Sequence, residues 1–208
     1  MKKMLQFIPL NSTLKYLSSL LFVPLLFSNQ LYAQGTYKLN GSKENVVKVS
    51  GKSNVHDWAM TAQNPTCEAE FGALNAVENI PKSLTSLSFS VNAKSLKSEH
   101  SSMDTRTYKV IKADEFPKIT FKQTNAVITA VSKGKFSVKT TGSLTIAGVS
   151  KTITLQVNGT VNADQSITCT GTQKLKLTDY SIQPPSFMLG AMKVGDELSI
   201  AFNLNFKN

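Results

Sequence analysis

Regular alternation of apolar and polar residues sets the strongest limit on the fold of this chain. Between residues 197 and 206, Leu, Ile, Phe, Leu and Phe alternate with Ser, Ala, Asn and Asn, and residues 86–93 and 152–158 repeat the pattern. Successive side chains of a β-strand point to opposite faces, whereas a helix repeats every 3.6 residues. A period of two therefore predicts strands with one apolar and one polar face each.

The same period predicts about eight strands, with a ninth segment as a closing strand. They cover residues 36–40, 45–51, 66–72, 84–94, 118–131, 134–146, 151–162, 167–177 and 197–206. Short strands separated by turn residues are typical of a sandwich or a barrel, and the period alone does not choose between them. An outer-membrane barrel is disfavoured because several segments are shorter than the roughly 9–11 residues that a spanning strand needs.

One segment breaks the alternation and predicts a short helix over residues 102–113. Residues 101–104 read Ser-Ser-Met-Asp, which has the form of a capping box. The residues that follow at helical spacing are Met103, Thr107, Val110 and Ile111. Pro117 ends the segment, since the residue before a proline avoids the helical region.

The first 33 residues have the order of a secretory signal. A start with three lysines is followed by an apolar run over residues 16–27 and a short polar segment that ends at Ala33. The run is shorter than the about 20 residues of a membrane-spanning helix, so a cleavable signal is favoured over an anchor. We expect an exported protein, periplasmic or secreted, with residues 34–208 forming a single domain.

Charge and cysteine content restrict the partners. The net charge is +10, but the 23 basic residues are spread along the chain, which argues against nucleic acid as a partner. The charge fits a solvated surface, or alternatively a transient contact with the anionic surface of a membrane. Export would place Cys67 and Cys169 in an oxidising compartment, so they either form a disulfide or remain two free buried thiols.

Residues for catalysis or metal binding are few. Besides His100, the one suggestive group is His56-Asp57-Trp58, and no H-x-x-x-H, G-x-S-x-G or C-x-x-C motif occurs. Without further partners, His56 and Trp58 are expected to fill a barrel end or the entry of a strand. The sequence therefore predicts no enzyme activity and neither a cofactor nor a metal.

Three blocks of the sequence resemble a known family. Residues 109–121 read KVIKADEFPKITF, residues 142–155 read GSLTIAGVSKTITL, and DYSI at 179–182 precedes VGDELSI at 194–200. In this order they resemble the YceI-like family of exported lipid- and polyisoprenoid-binding proteins. The resemblance implies an all-β fold, a lipocalin-like antiparallel barrel, that holds an isoprenoid or fatty amphiphile in its interior.

Nine apolar residues on the alternating segments are predicted to line this interior: Phe89, Val91, Phe121, Leu144, Ile146, Leu155, Val157, Phe202 and Leu204. Small residues on apolar faces, such as Ala93 and Gly159, favour a cavity over a filled core. The competing hypothesis is an exported structural or interaction module with a solid interior. In that case the stretch 183–189, which combines prolines with apolar residues, is the candidate partner-binding loop, although it would serve equally as a plug at one barrel end.

Overall fold

The computed structural model describes residues 35–41 and 45–208, so the predicted signal over residues 1–33 lies outside the described residues. The strands are β1 (Gly35–Leu39), β2 (Val46–Ser53), β3 (Asp57–Ala62), β4 (Thr66–Phe71), β5 (Leu84–Asn92), β6 (Leu96–Lys97), β7 (Lys118–Ser132), β8 (Lys135–Ile146), β9 (Val149–Val161), β10 (Ile167–Lys176), β11 (Ser186–Phe187) and β12 (Met192–Lys207). One α-helix, α1 (Ser101–Val110), lies between β6 and β7.

Eight of these strands form a closed antiparallel barrel. Their order is β1-β4-β5-β7-β8-β9-β10-β12, and the ring closes where Lys38 of β1 pairs with Lys207 of β12. The predicted barrel of about eight strands with one inserted helix is therefore confirmed. Closure leaves no long unpaired edge along the ring.

Strand β12 joins two parts of the sheet. Its last residues pair with β1, whereas its first two thirds pair with β2, with a register shift between Val194 and Leu198. β2 pairs in turn with β3, and β3 with β6. β2, β3 and β6 therefore continue the sheet from the part of β12 that does not pair with β1.

One end of the barrel is closed by packed side chains. Phe136, Ile167 and Phe206 are almost completely buried there. The loop over residues 72–83 covers this end, and its Glu78 carbonyl accepts a hydrogen bond of 2.7 Å from the N–H of Gly134 in the β7–β8 turn. We call this the closed end.

The opposite end holds α1, the start of β12 and the turn between β2 and β3; we call it the open end. Two contacts fix α1 to it. The hydroxyl of Tyr108 lies 2.8 Å from the carbonyl oxygen of Lys94 and 2.9 Å from that of Leu96. The Asp104 carboxylate accepts hydrogen bonds of 2.8 and 2.7 Å from the backbone N–H and the hydroxyl of Ser98.

The capping box predicted at residues 101–104 is wrong. The N-cap residue is His100, which makes no capping hydrogen bond through its side chain. Asp104 turns instead to Ser98, outside the helix, because this buried carboxylate gains two donors there. The helix also ends earlier than predicted, at Val110, and a turn leads from it to Pro117.

The nine segments predicted from the period of two correspond to β1, β2, β4, β5, β7, β8, β9, β10 and β12. Most boundaries agree within about three residues. The exception is β12, which begins at Met192 instead of residue 197. Strands β3, β6 and β11 were not predicted.

Candidate ligand cavity

A cavity of about 410 Å³ lies inside the barrel. The structure places all nine residues predicted from the sequence in its wall: Phe89 and Val91 on β5, Phe121 on β7, Leu144 and Ile146 on β8, Leu155 and Val157 on β9, and Phe202 and Leu204 on β12. Cavities lined by such side chains stay free of water and accept apolar molecules. Binding of a ligand by these nine residues stays a prediction.

The wall is incompletely packed, which distinguishes it from an ordinary core. Phe89, Leu155 and Phe202 point into the barrel, yet each is only half-buried. A fully packed interior would leave such side chains almost no accessible surface. Their remaining exposed surface is therefore wall of the cavity, on three different strands.

Small residues do not create this space, contrary to the prediction. A Cβ atom at Gly159 would lie 2.3 Å from the ring of Phe136, so that ring already fills the position. Ala93 is completely buried in the turn before β6, outside the cavity wall. The space comes instead from inward-facing Leu, Ile and Phe side chains that do not meet across the barrel.

Helix α1 contributes an unexpected part of the wall. The four residues that established the helical spacing, Met103, Thr107, Val110 and Ile111, all line the cavity, together with Ser102 and Arg106. The sequence predicted the helix but gave it no role. The signal was present, since an apolar helical stripe between strands of a barrel must face something apolar.

The stretch 183–189 divides into two parts. Pro185 and Phe187 line the cavity, whereas Met188 and Leu189 project outward and are exposed. The guanidinium carbon of Arg106 lies 4.9 Å from the centre of the Phe187 ring, a cation–π contact between α1 and the loop. The sequence left open that the stretch 183–189 plugs one barrel end. The structure agrees with this in part, because Pro185 and Phe187 lie beside α1 and line the cavity at the open end.

Polar groups are concentrated at the open end. Five polar residues belong to the cavity wall at this end: Ser53, His56, His100, Gln173 and Lys176. His56 is exposed in the β2–β3 turn, where its carbonyl accepts a 2.8 Å hydrogen bond from the Ser53 hydroxyl. Such a distribution suits an amphiphile whose tail lies in the apolar interior and whose polar head lies at the mouth.

Trp58 is half-buried at the start of β3 and lies flat against Gly51 of β2. A Cβ atom at Gly51 would come within 2.4 Å of the Trp58 ring, so only glycine leaves room for the indole. His56 and Trp58 thus occupy a strand entry at the open end, as predicted. No group of three or more His, Cys, Asp or Glu suited to a metal occurs within residues 35–41 and 45–208.

Both cysteines belong to the cavity wall, and in the structure they are free thiols. Burial raises the pKa of Cys169 to about 12. Burial, with smaller contributions from Cys169 and Glu68, raises the pKa of Cys67 to about 12 as well. Of the two arrangements that the sequence left open, the structure has the pair of free buried thiols, and the disulfide remains to be tested.

Comparison with known proteins adds the family. The family model of the YceI-like domain matches residues 37–206. The chain belongs to the YceI-like family. The resemblance of its three sequence blocks is thereby confirmed. No curated protein matches this sequence, and in the described part of the chain no helix is both long and apolar enough to span a bilayer.

Three solved structures are similar to this chain in fold. BcnA of Burkholderia cenocepacia is 18% identical with a TM-score of 0.60, and the match covers 77% of this chain and 95% of that one. YceI of Campylobacter jejuni is 19% identical with a TM-score of 0.54, covering 76% and 85%. A polyisoprenoid-binding domain of Saccharophagus degradans, implicated in plant cell wall breakdown, is 10% identical with a TM-score of 0.60, covering 84% and 99%. At these identities the likeness concerns the fold.

Proposed function

We propose that this protein carries an amphiphile with an apolar tail, a polyisoprenoid or a fatty lipid, inside its barrel. The observation that supports this most strongly is the apolar cavity of about 410 Å³, a volume within the roughly 300–1,000 Å³ usual for small-molecule sites. Its apolar interior and polar mouth match the two halves of such a molecule. The Saccharophagus degradans domain, which is described as polyisoprenoid-binding, has the same fold.

The protein acts by binding and release, without catalysis. His56, in the β2–β3 turn, and Asp57, the first residue of β3, are both exposed, and neither forms an ion pair within the described residues. A catalytic histidine is normally oriented by a further hydrogen-bonded group. Replacing His56 with alanine is expected to leave the melting temperature nearly unchanged and to abolish no hydrolytic activity, which thermal unfolding and hydrolysis assays check.

Native mass spectrometry of protein purified without detergent tests the carrier function. We expect a fraction of the molecules to carry an additional mass of an isoprenoid or fatty compound, which organic extraction then identifies. Protein that is always free of such a mass, even after incubation with polyisoprenoids and fatty acids, would contradict the proposal. The interaction module with a solid core would then take its place.

Export forms part of the proposal. It rests on the charged, apolar and cleavable order of residues 1–33. Protein recovered from the exported fraction is expected to begin at Gln34, which intact mass determines. An exported chain that keeps residues 1–33 would point to an anchor instead of a signal.

A further inference from the structure

A loop tip at the open end carries two large apolar side chains that are exposed to solvent. Leu189 is fully exposed and Met188 is 73% exposed. Both have a left-handed backbone, with φ of 55° and 54°, a conformation that is unfavourable for residues with a Cβ atom. The chain thus presents two large apolar side chains to solvent in a conformation that local preferences oppose.

A third exposed apolar residue lies next to this tip. Val55, in the β2–β3 turn, is 61% exposed. The neighbouring Asn54 side chain donates to the Ala191 carbonyl at 2.9 Å and accepts from the Lys193 N–H at 2.7 Å. The Asn54 N–H also donates to the Lys193 carbonyl at 3.1 Å. Three hydrogen bonds therefore hold the two segments together, and we call Val55, Met188 and Leu189 the apolar tip.

Two cationic side chains lie beside the apolar tip. Lys193 stands opposite Ser186 in the β11–β12 pair, and Arg106 stacks on Phe187. Residues 53–56 and 183–195, which form this rim, contain no Asp or Glu. Among the described residues neither Lys193 nor Arg106 forms an ion pair. Two acids border the rim in sequence. Asp57 has Lys52 as its cross-strand partner, and the Asp196 carboxylate accepts hydrogen bonds from the backbone N–H and the hydroxyl of Thr178.

The apolar tip is also continuous with the cavity. Phe187, directly before Met188, lines the cavity, and Met192 and Val194 do so on the returning strand. A surface that combines exposed apolar side chains with free cations matches the interface of an anionic bilayer, where the two contributions add.

We propose that the apolar tip inserts into the surface of an anionic lipid bilayer and brings the mouth of the cavity against it. The ligand then passes between bilayer and cavity without crossing water. This docking rests on the proposed lipid-carrier function and adds the place where loading occurs. Val77 and Val131 are also exposed, but they lie at the closed end, away from the mouth of the cavity, and therefore serve as controls.

Fluorescence at the apolar tip tests insertion directly. Leu189→Cys is labelled with an environment-sensitive fluorophore at neutral pH, where the buried thiols with a pKa of about 12 do not compete. Val77→Cys, labelled in the same way, is the control at the closed end. On addition of vesicles made of equal parts phosphatidylglycerol and phosphatidylethanolamine, we expect a blue shift for the label at position 189 and none at position 77.

Sedimentation with the same vesicles measures the strength of docking. Replacing Met188 and Leu189 with serine is expected to lower binding about tenfold or more for each side chain, whereas the pair Val77→Ser and Val131→Ser leaves it unchanged. Lys193→Ala should lower binding about fivefold, and Lys133→Ala at the closed end should not. All variants keep the same N-terminus, so any membrane affinity of residues 1–33 cancels in the comparison.

Equal shifts at positions 189 and 77, or equal binding by the tip and control variants, would overturn the proposal. A requirement for a protein in the vesicles would do so too. Lipid content measured on the same samples separates this failure from that of the carrier function. Protein that carries lipid without inserting its tip contradicts docking alone, whereas tip insertion by protein that never carries lipid contradicts the carrier function alone.

Discussion

At the scale of single residues, burial controls the chemistry of the two cysteines. A thiol reacts as the thiolate, and the raised pKa of about 12 for Cys67 and Cys169 leaves almost no thiolate near neutral pH. The cavity wall also shields both sulfur atoms from reagents. The two thiols are therefore expected to behave as small apolar side chains.

Alkylation checks this expectation. At pH 8 the folded protein should gain no adduct, and protein denatured without reductant should gain two, as read by intact mass. Adducts on the folded protein would show that the wall opens. Absence of adducts after denaturation would show instead that Cys67 and Cys169 are joined in a disulfide.

Gly142 is a residue whose lack of a side chain allows the close approach of β7 and the Phe121 ring. A Cβ atom there would lie 2.5 Å from the Lys122 carbonyl oxygen and 2.5 Å from the Phe121 ring. The backbone atom cannot move aside easily, because β7 and β8 are paired at this point. We expect Gly142→Ala to destabilise the protein by about 1–3 kcal/mol, measured by thermal unfolding, and Lys139→Ala on the exposed face of β8 to have little effect. Equal stability of the two variants would show that the strands adapt.

At the scale of elements, one of the two contacts that attach α1 to the barrel is the buried carboxylate of Asp104. Burial alone would raise the pKa of Asp104, but the two hydrogen bonds from Ser98 and the charge of Lys97, 3.7 Å away, lower it below the ordinary value of 3.8. A group with a lowered pKa in the folded state stabilises that state above the unfolded pKa. Its contribution is lost as the pH falls through the folded pKa.

Asp104→Ala removes this contribution and leaves the Ser98 N–H without its acceptor. We expect a loss of about 1–3 kcal/mol in the free energy of unfolding near neutral pH. Below about pH 3.8 the difference from the wild type should shrink. The control is Asp114→Ala, whose partner Lys94 is exposed, with an expected loss of about 0.5 kcal/mol or less. A difference that stays constant down to pH 2 would contradict the role of the charged carboxylate.

The sequence predicted long strands well and short ones poorly, for a physical reason. A period of two needs several repeats to stand out, which β7, β8, β9 and β12 provide. β6 and β11 have two residues each, and β3 alternates weakly because it contains two alanines. β6 forms through pairing with β3, a partner distant in sequence, which no local pattern records.

At the scale of the whole molecule, a filling substitution separates a carrier from a solid barrel. Val157→Phe on β9 places a larger side chain in the cavity wall, and Asn158→Phe adds the same ring to the exposed face of the same strand. We expect Val157→Phe to lower the amount of bound lipid several-fold with little change in melting temperature. In a solid core the same change would cost about 1–3 kcal/mol, and an early melting temperature without any lipid in the wild type would favour that alternative.

The sequence predicted the cavity residues that lie on the long strands, but it did not predict those on α1 or in the stretch 183–189. Alternation identifies inward faces, and barrel closure directs all of them to one interior, so nine strand residues reached the same cavity. Arg106 and Phe187 could not be assigned in this way. Their contact joins α1 and the short strand β11 through residues that are 81 positions apart, and it depends on how both elements lie over the open end.

Closure of the barrel also sets an order of events in folding. β12 follows every other strand along the chain, and it separates β10 from β1 and β2 in the ring. Until β12 is in place, its neighbours retain open edges, and the pairs Lys38–Lys207 and Val46–Asn203 cannot form. Such distant pairings make folding slow. This delay suits the proposed export, because the barrel cannot close before β12 is available. Until then the chain stays unfolded enough to pass through a translocation channel.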